Sequence, residues 1–444
     1  MRALLDKLIS RIRHPGVVQK KRVIRAFDAL DAARKGAQQE ELLLSLLRWA
    51  HAKVPLYRQH LEECGVWSSG DVNLGRFPLL PQLVKADIRA EGDALYVPDH
   101  CAGARKNTSG GTTGEPVVIL QDRDFGEWGR AYKEFYAERA GYRPGKRLVK
   151  IWGSERDILS GTIGFKNKFA NLVKNQVFLN SFRMKEQDLS IWAGLINEFH
   201  PHVVESYVQS LYELSRHIEE NRLEVFSPQG IIVSAGTLFD FMEERIRGVF
   251  RAPLYNRYGS REVGDMACSC GEGKFLHLSM LTHYVEVVDE QNKPVLGVPG
   301  KILVTSLRNY SMPLIRYDIG DVGVMHEKTV CPMCGWRGKI LESVRGRTVD
   351  VFRNLRGDLI DGEYFTHLFY FRPWVKRFQV VFDRNSAVLE INAILTDKDI
   401  PLSDRSEIEA AIHKVMDEVT IQWNCVDAIA PDSSGKFRFT IMKG

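Results

Sequence analysis

No run of about 18 consecutive apolar residues occurs in the 444-residue sequence, so no membrane-spanning helix is expected. Internal repeats and low-complexity tracts are also absent, which argues against a repeat array or a disordered linker. Excess charge of one sign is scarce: 61 Lys and Arg face 56 Asp and Glu, a net charge of +5. A surplus that small does not make the clustered basic face of a nucleic-acid binder. What is present is ordinary for a globular chain, with 44% hydrophobic and 26% charged residues. The length suggests two or three structural units and suffices to bury a large core without disulfides.

The seven cysteines are unevenly placed. Cys64, Cys101 and Cys425 are scattered, whereas Cys268 and Cys270 share CSCGEG, and Cys331 and Cys334 share CPMCG. An odd count with paired spacing predicts a reduced, cytoplasmic compartment and a metal site in place of a disulfide framework. Two close pairs, each followed by glycine, have the form of a structural Zn2+ knuckle, with all ligand positions filled by protein. The Cys-x2-Cys spacing of Cys331 and Cys334 is the stronger half. His277 is a candidate substitute for one cysteine of the first pair. A redox dithiol at Cys331–Cys334 and four plain reduced thiols are the alternatives.

The first residues, MRALLDKLISRIRHPGVVQKKRVIRAF, are basic and amphipathic, without the long apolar run or small-residue cleavage site of a secretory leader. They predict a helix resting on an anionic membrane surface or one docked on the core. Residues 1–65 carry apolar positions at helical spacing, and residues 76–98 form a proline-punctuated connection with one short helix. From about residue 115 the pattern alternates. PVVIL, RLVKIWG, QVFLN, HVVESY and GIIVSAG have the texture of buried strands, and FGEWGRAYKEFYAERAG, SIWAGLINEF, SLYELSRHIEEN and FMEERIRGVF that of helices between them. Such alternation predicts an α/β fold with largely parallel sheets. After about residue 283 come shorter strands joined by turns. Beyond VRGRTVD at 344–350, two strands and a helix predict a small α+β domain. The expected organisation is therefore a large α/β domain with several sheets over residues 1–345, helical over about 1–100 and with the knuckle within 268–334, and a mobile α+β domain over 346–444.

Residues 107–117 read NTSGGTTGEPV, just before the strand VVIL. Glycines let a backbone approach an anion closely, and hydroxyls with main-chain N–H groups can wrap phosphate oxygens. No Gly-Lys-Ser/Thr follows, so this is not the P-loop of NTPases. Taken by itself it reads as a phosphate cradle or as a linker of small residues.

Thr-Ser-Gly-Gly-Thr-Thr-Gly-Glu-Pro resembles the signature loop of the adenylate-forming superfamily of acyl-CoA synthetases, adenylation domains and luciferases. The resemblance implies that Thr108, Ser109, Gly110, Gly111, Thr112, Thr113 and Gly114 hold the β- and γ-phosphates of ATP, with Thr112 among the catalytic residues. YNRYGSREVG at 255–264 resembles the adenine and magnesium motif, placing Asn256, Tyr258, Gly259 and Ser260 at the nucleotide and Glu262 on Mg2+. A carboxylate is the hard oxygen ligand that Mg2+ takes beside phosphate. IIVSAGTL at 231–238 resembles the strand and turn that line the adenine and carboxylate pocket, through Ser234, Ala235 and Gly236. RYDIGD at 316–321 resembles the ribose motif, with Asp321 accepting both hydroxyls. RGRTVD at 345–350 resembles the hinge, with Arg347 at the nucleotide and Val349 departing from the usual acid. SSGKFRF resembles the C-terminal motif whose lysine, here Lys436, bridges the carboxylate and the α-phosphate and stabilises the developing charge.

These motifs occur in family order across nearly the whole chain. VPLYRQHLEECG, FPLLPQLVKADIRAE and PHVVESYVQSLYELSRHIEEN resemble the phenylacetate–CoA ligase branch, and more closely its capsule-biosynthesis-type relatives. The resemblance implies an ATP- and Mg2+-dependent ligase that converts a small carboxylic acid, aromatic acids included, to an acyl adenylate. Coenzyme A is the implied acceptor; a carrier protein, an amine or a sugar are alternatives, and a non-catalytic zinc-ribbon binding protein is a third class. Trp152 and Tyr207 are candidates for the pocket wall. A monomer or a homodimer would serve, and no nucleic-acid partner is expected.

Overall fold

The computed structural model describes residues 15–108, 117–152, 175–181, 186–347, 351–356, 359–361, 365, 368–369, 372, 374–396, 399–429 and 440–443. It divides into two compact units. The first holds most of the chain up to Ser343; the second takes in Gly320–Val322 and the chain from Val344 onward.

The first unit opens with helices α1 (Pro15–Asp28), α2 (Ala32–Lys53) and α3 (Pro55–Glu63). Asp31 caps α2, its carboxylate accepting from the Arg34 N–H at 2.8 Å. A minimal hairpin, β1 (Trp67–Ser68) with β2 (Asp71–Val72), precedes the short helix α4 (Lys85–Glu91). A second hairpin pairs β3 (Arg105–Thr108) with β4 (Val118–Gln121). Helix α5 (Arg123–Arg139) follows, capped by Asp122. Strands β5 (Leu148–Trp152), β6 (Gln176–Asn180), β7 (Val203–Tyr207), β8 (Gly230–Ser234) and β9 (Leu254–Ser260) then alternate with helices α6 (Glu186–Phe199), α7 (Val208–Glu220) and α8 (Asp240–Phe250).

These five strands pair in parallel in the order β6-β5-β7-β8-β9. Val203 of β7 and Ile232 of β8 form a buried cluster with Ala140, just past the end of α5. From β9 the sheet continues through antiparallel strands: β10 (Gly264–Ser269), β11 (Leu276–Leu278), β12 (His283–Val288), β13 (Pro299–Ser306), β14 (Tyr317–Met325) and β15 (Ile340–Arg347). One mixed sheet of eleven strands results, in the order β12-β13-β14-β15-β11-β10-β9-β8-β7-β5-β6. Together with the two hairpins it makes up the several sheets predicted for this region.

Of the basic N-terminal segment, residues 1–14 lie outside the described residues; the remainder, α1, is docked on the core. Val17, Ile24 and Phe27 of α1 are buried. Its cations pair with α5: Lys20 Nζ lies 2.9 Å from Glu127, Lys21 Nζ 2.6 Å from Glu138, and Arg25 also meets Glu138. The amphipathic pattern is therefore used against a neighbouring helix. No helix among the described residues is long and apolar enough to cross a membrane.

In the second unit β16 (Val351–Arg353) pairs with β17 (Leu359–Asp361). A four-stranded sheet has the order β20-β19-β18-β21, from β18 (Val375–Asp383), β19 (Val388–Leu395), β20 (Thr420–Cys425) and β21 (Thr440–Lys443). Helix α9 (Leu402–Met416) buries Ile408, Ile412, Val415 and Met416. This is the small α+β arrangement predicted from the alternation of RFQVVFD and AVLEINAIL around a tight turn.

Candidate active site

The glycine-rich segment connects β3 and β4, whose last pair is Thr108↔Val118. Ser109, Gly110, Gly111, Thr112, Thr113 and Gly114 lie outside the described residues. The base of the hairpin is described and is tied to the turn that carries Glu262. Asn107 Nδ2 and Gln121 Nε2 both donate to the Arg261 carbonyl at 2.8 Å, and Gln121 Nε2 also donates to the Glu262 carbonyl at 3.0 Å. Ser260 Oγ accepts from the Glu262 N–H at 3.2 Å, closing the same turn. Gly259 is needed there, because a Cβ would stand 2.4 Å from the Gly264 carbonyl oxygen. Glu262 itself is buried, with Lys85 Nζ 3.5 Å from its carboxylate. The buried Glu262 and the base of the β3–β4 hairpin are thus joined by hydrogen bonds.

Ser234 ends β8 opposite Arg257 of β9, and its hydroxyl donates to the Arg257 carbonyl at 2.9 Å. Ala235 takes a left-handed φ of 56°, which turns the chain sharply away before Gly236. The Asn256 N–H donates to Ser269 Oγ at 2.8 Å, and Tyr258, half-buried, pairs with Ala267. Ser234, Ala235, Gly236, Asn256, Tyr258, Gly259, Ser260 and Glu262 therefore gather at the carboxyl ends of two adjacent parallel strands. Open α/β sheets bind ligands at that edge.

Asp321 lies half-buried in the middle of β14, after Gly320 with a φ of 84°. Arg347 is the last residue of β15. Lys436 and Thr112 lie outside the described residues, as does Asp350 of the hinge motif.

The two cysteine pairs converge, with one change of membership. Ligand atoms of Cys270, His277, Cys331 and Cys334 all lie within 4.8 Å of one another. Cys268, predicted as a ligand, is not in this group; His277, its cross-strand partner, is. Cys268 sits inside β10 with its thiol pushed up to about 12 by burial, whereas Cys270 has passed the end of the strand. Gly335, with a φ of 72°, closes the Cys331–Cys334 turn by donating to the Cys331 carbonyl at 2.9 Å.

Burial, then Arg139 and Lys35, bring the His277 pKa down to about 3, so its ring is neutral and fit to ligate. His277 Nε2 stands 3.6 Å from Cys334 Sγ, close to the edge of a tetrahedron with zinc bonds of about 2.0–2.3 Å. Burial holds the Cys334 thiol up at about 12, a shift that a divalent cation reverses. The His277 ring stacks on Trp336, whose indole N–H donates to Asp28 at 2.6 Å, and the wholly buried Lys35 lies 4.2 Å over that indole. The donor set fits Zn2+.

A charged group absent from the sequence-based candidates lies among the strands that carry Ser234 and Tyr258. Glu205, Lys150 and Arg257, with Lys133 and Asp265 around them, interrupt otherwise apolar strands. The signal was present as charges inside VVESY and LVKIW.

In its fold the chain matches an acyl-CoA ligase of known structure. 2-Hydroxyisobutyryl-CoA ligase in the postadenylation state superposes with a TM-score of 0.62 at 18% identity, over 94% of this chain and 91% of that one. The same ligase with 2-HIB-AMP and CoA in the thioesterification state gives 0.58. Residues 353–443 match the CapK C-terminal domain family. Protein CapK of Staphylococcus aureus is 27% identical over 57% of this chain, a match spanning 55% of CapK's length. Phenylacetate–coenzyme A ligase of Thermus thermophilus is 27% identical over 73% of each chain. The homologues of this chain are thus CapK and phenylacetate–CoA ligases, and its structural neighbours are acyl-CoA ligases of the adenylate-forming superfamily.

Proposed function

We propose that the chain is an AMP-forming ligase that activates a small carboxylic acid with ATP and passes the acyl group to the thiol of coenzyme A. The observation that carries this reading is the shared base of the glycine-rich hairpin and the Glu262 turn, built by Asn107 and Gln121. A substrate carboxylate oxygen bonds to the α-phosphorus as the bond to the β-phosphate breaks and pyrophosphate leaves. Thr108–Gly114, with Thr112 central, cradles the departing phosphates. Glu262 holds Mg2+, Tyr258 and Ser234–Gly236 flank the adenine, and Asp321 takes the ribose hydroxyls. Lys436 offsets charge at the reacting phosphate, and the C-terminal domain, from about residue 346, then pivots near Arg347 and Asp350. The thiol sulfur next bonds to the acyl carbon, releasing AMP, and the thiol proton goes to solvent. Positioning and electrostatics suffice for both steps, without a nucleophilic side chain.

Zn2+ serves structure in this reading, held by Cys270, Cys331, Cys334 and His277. Three thiolates, a neutral imidazole and a divalent ion sum to one negative charge, and the buried Lys35 ammonium faces that side across Trp336. The protein acts in the cytoplasm, where the seven thiols stay reduced.

ATP–pyrophosphate exchange over a panel of carboxylic acids tests the reading, and CoA-dependent AMP release tests the acceptor. Exchange without CoA-dependent release would point to a carrier protein, an amine or a sugar as acceptor. Lys436→Ala should lower exchange by about 10²–10³ while ATP still binds. Exchange at the unaltered rate in that variant would remove Lys436 from the mechanism.

A further inference from the structure

Parallel strands covered on both faces are usually lined by apolar side chains where they meet a helix. Two rows at the carboxyl edge of this sheet depart from that rule. The register places Lys150 beside Glu205, and one step further toward the edge Tyr207 beside Ser234 and Ser234 beside Arg257. Trp152 closes the upper row, its ring 4.0 Å from that of Tyr207.

The charges are specific in their pairing. Arg257 Nη2 donates to Glu205 at 3.0 Å, and Lys150 Nζ lies 3.4 Å and Lys133 Nζ 3.9 Å from the same carboxylate. Asp265 stands 3.5 Å from Arg257 Nε, a buried atom that makes no hydrogen bond. Among the described residues, three cations thus meet two carboxylates. Glu205 and Arg257 are buried at 10% and 3% side-chain exposure, while Lys150 at 19% and Lys133 at 44% reach toward solvent. The same cations overlook the aromatic wall, with Lys150 Nζ 4.8 Å and Arg257 Cζ 6.0 Å from the Trp152 ring centre. An uncompensated positive charge at a partly dry site is costly, and an anion from a ligand offsets that cost.

We infer that the Lys133–Lys150–Arg257 group beside Trp152 and Tyr207 binds a second anionic group of the acid, so that the substrate is a dicarboxylic acid whose carbon skeleton lies on the two rings. This deepens the ligase reading and rests on it: Arg257 immediately precedes Tyr258 and receives the Ser234 hydroxyl, which puts the charged row next to the nucleotide strands.

The experiment is pyrophosphate exchange by the full chain with matched pairs, hexanoate against adipate and phenylacetate against 4-carboxyphenylacetate. A charge-assisted contact predicts a kcat/KM about tenfold or more higher for the diacid of a pair. Lys150→Met should bring that ratio to about one. Because Lys150 is the closer and more buried lysine partner of Glu205, Lys133→Met, at the longer 3.9 Å contact and on a half-exposed helix position, is the second variant, with the same expected loss of preference. Exchange with equal or greater preference for the monoacid overturns this inference and leaves the ligase reading standing. Exchange with no acid of either kind overturns both. A change in the KM for ATP with an unaltered diacid ratio assigns the excess charge to the nucleotide and also overturns the inference.

Discussion

Two buried ion networks in the first unit differ in how they are closed. Arg316 is wholly buried and meets one carboxylate, Glu286, at 3.2 Å. Its two terminal nitrogens donate to the carbonyls of Pro78 at 2.7 Å, of Leu80, and of Asn292 at 3.3 Å. Glu205 instead meets three cations, and Arg257 Nε, buried beside Asp265, makes no hydrogen bond. The carboxylates respond in opposite directions. Burial raises the pKa of Glu286 despite its arginine. Burial also works to raise Glu205, but Lys150, Arg257 and Lys133 outweigh it and bring its pKa to about 2. A one-to-one pair in which every guanidinium nitrogen has a partner is a staple between β12, the entry to β14 and the Pro78–Leu80 segment. A network with one more cation than carboxylate among the described residues, and with Lys133 and Lys150 reaching toward solvent, suits the ligand anion inferred above.

The cysteine–histidine cluster belongs with the closed kind, and it supplies the largest expected effect. Metal analysis should find about one zinc per chain. Cys331→Ser, or stripping by a strong chelator, should cost about 5 kcal/mol or more of stability, read by denaturation with and without added zinc. A metal-free protein of full stability would remove the cluster from this comparison.

Arg316→Met comes next. It leaves Glu286 buried without its partner and strands the carbonyls of Pro78 and Leu80, a loss of about 3–5 kcal/mol in urea unfolding. Lys150→Met should cost much less, on the order of 1 kcal/mol, since Glu205 keeps Arg257 at 3.0 Å. Equal losses in the two variants would erase the distinction between staple and open network.

The smallest effect is a slope with pH. The folded pKa of Glu205 lies below its ordinary 4.5, so its contribution is complete above about 4.5 and is lost as the pH falls toward about 2. Glu286 has the opposite sign: its folded pKa is raised, so its contribution is present below the ordinary value and is lost as the pH rises through the folded one. Lys150→Met should therefore flatten the acid limb of stability between about pH 4.5 and 2 relative to the parent. An unchanged acid limb would mean that Glu205 does not depend on Lys150 for its charge.

Much of this was legible along the chain, because it depended on neighbours in sequence. The strand–helix alternation that builds β5 to β9 follows from apolar runs such as HVVESY and GIIVSAG, whose buried faces demand a partner layer. The glycine-rich run, the Tyr-Gly-Ser-x-Glu segment and the paired cysteines were visible as local patterns, since each is a short string of residue types; at Ser260–Glu262 and at Cys331–Cys334 the structure shows the turn that such a string specifies. The same reading left two fates for the basic N-terminal segment, of which only the part from Pro15 onward is described. Only the presence of Glu127, Glu134 and Glu138 along α5 decided for docking, because an amphipathic stripe does not say what covers it.

The tertiary structure alone decided which side chains share a site when their distance along the chain is large. Spacing nominated Cys268 for the metal group, yet antiparallel pairing of β10 with β11 places His277 opposite it and carries Cys270 past the strand end to the Cys331–Cys334 turn. Arg316 lies in a segment noted for Asp321, and its own role as a staple appears only when Pro78, Leu80 and Asn292 fold over it. Lys133, Lys150, Glu205, Arg257 and Asp265 come from one helix and four strands; the parallel register of β5, β7, β8 and β9 brings Lys150, Glu205 and Arg257 together, and the antiparallel return of β10 adds Asp265, each ion pair within about 4 Å. Local pattern determines elements and turns, since these depend on backbone preference and on which face is apolar; the identity of a charged cluster depends on register between strands, and no single segment encodes that.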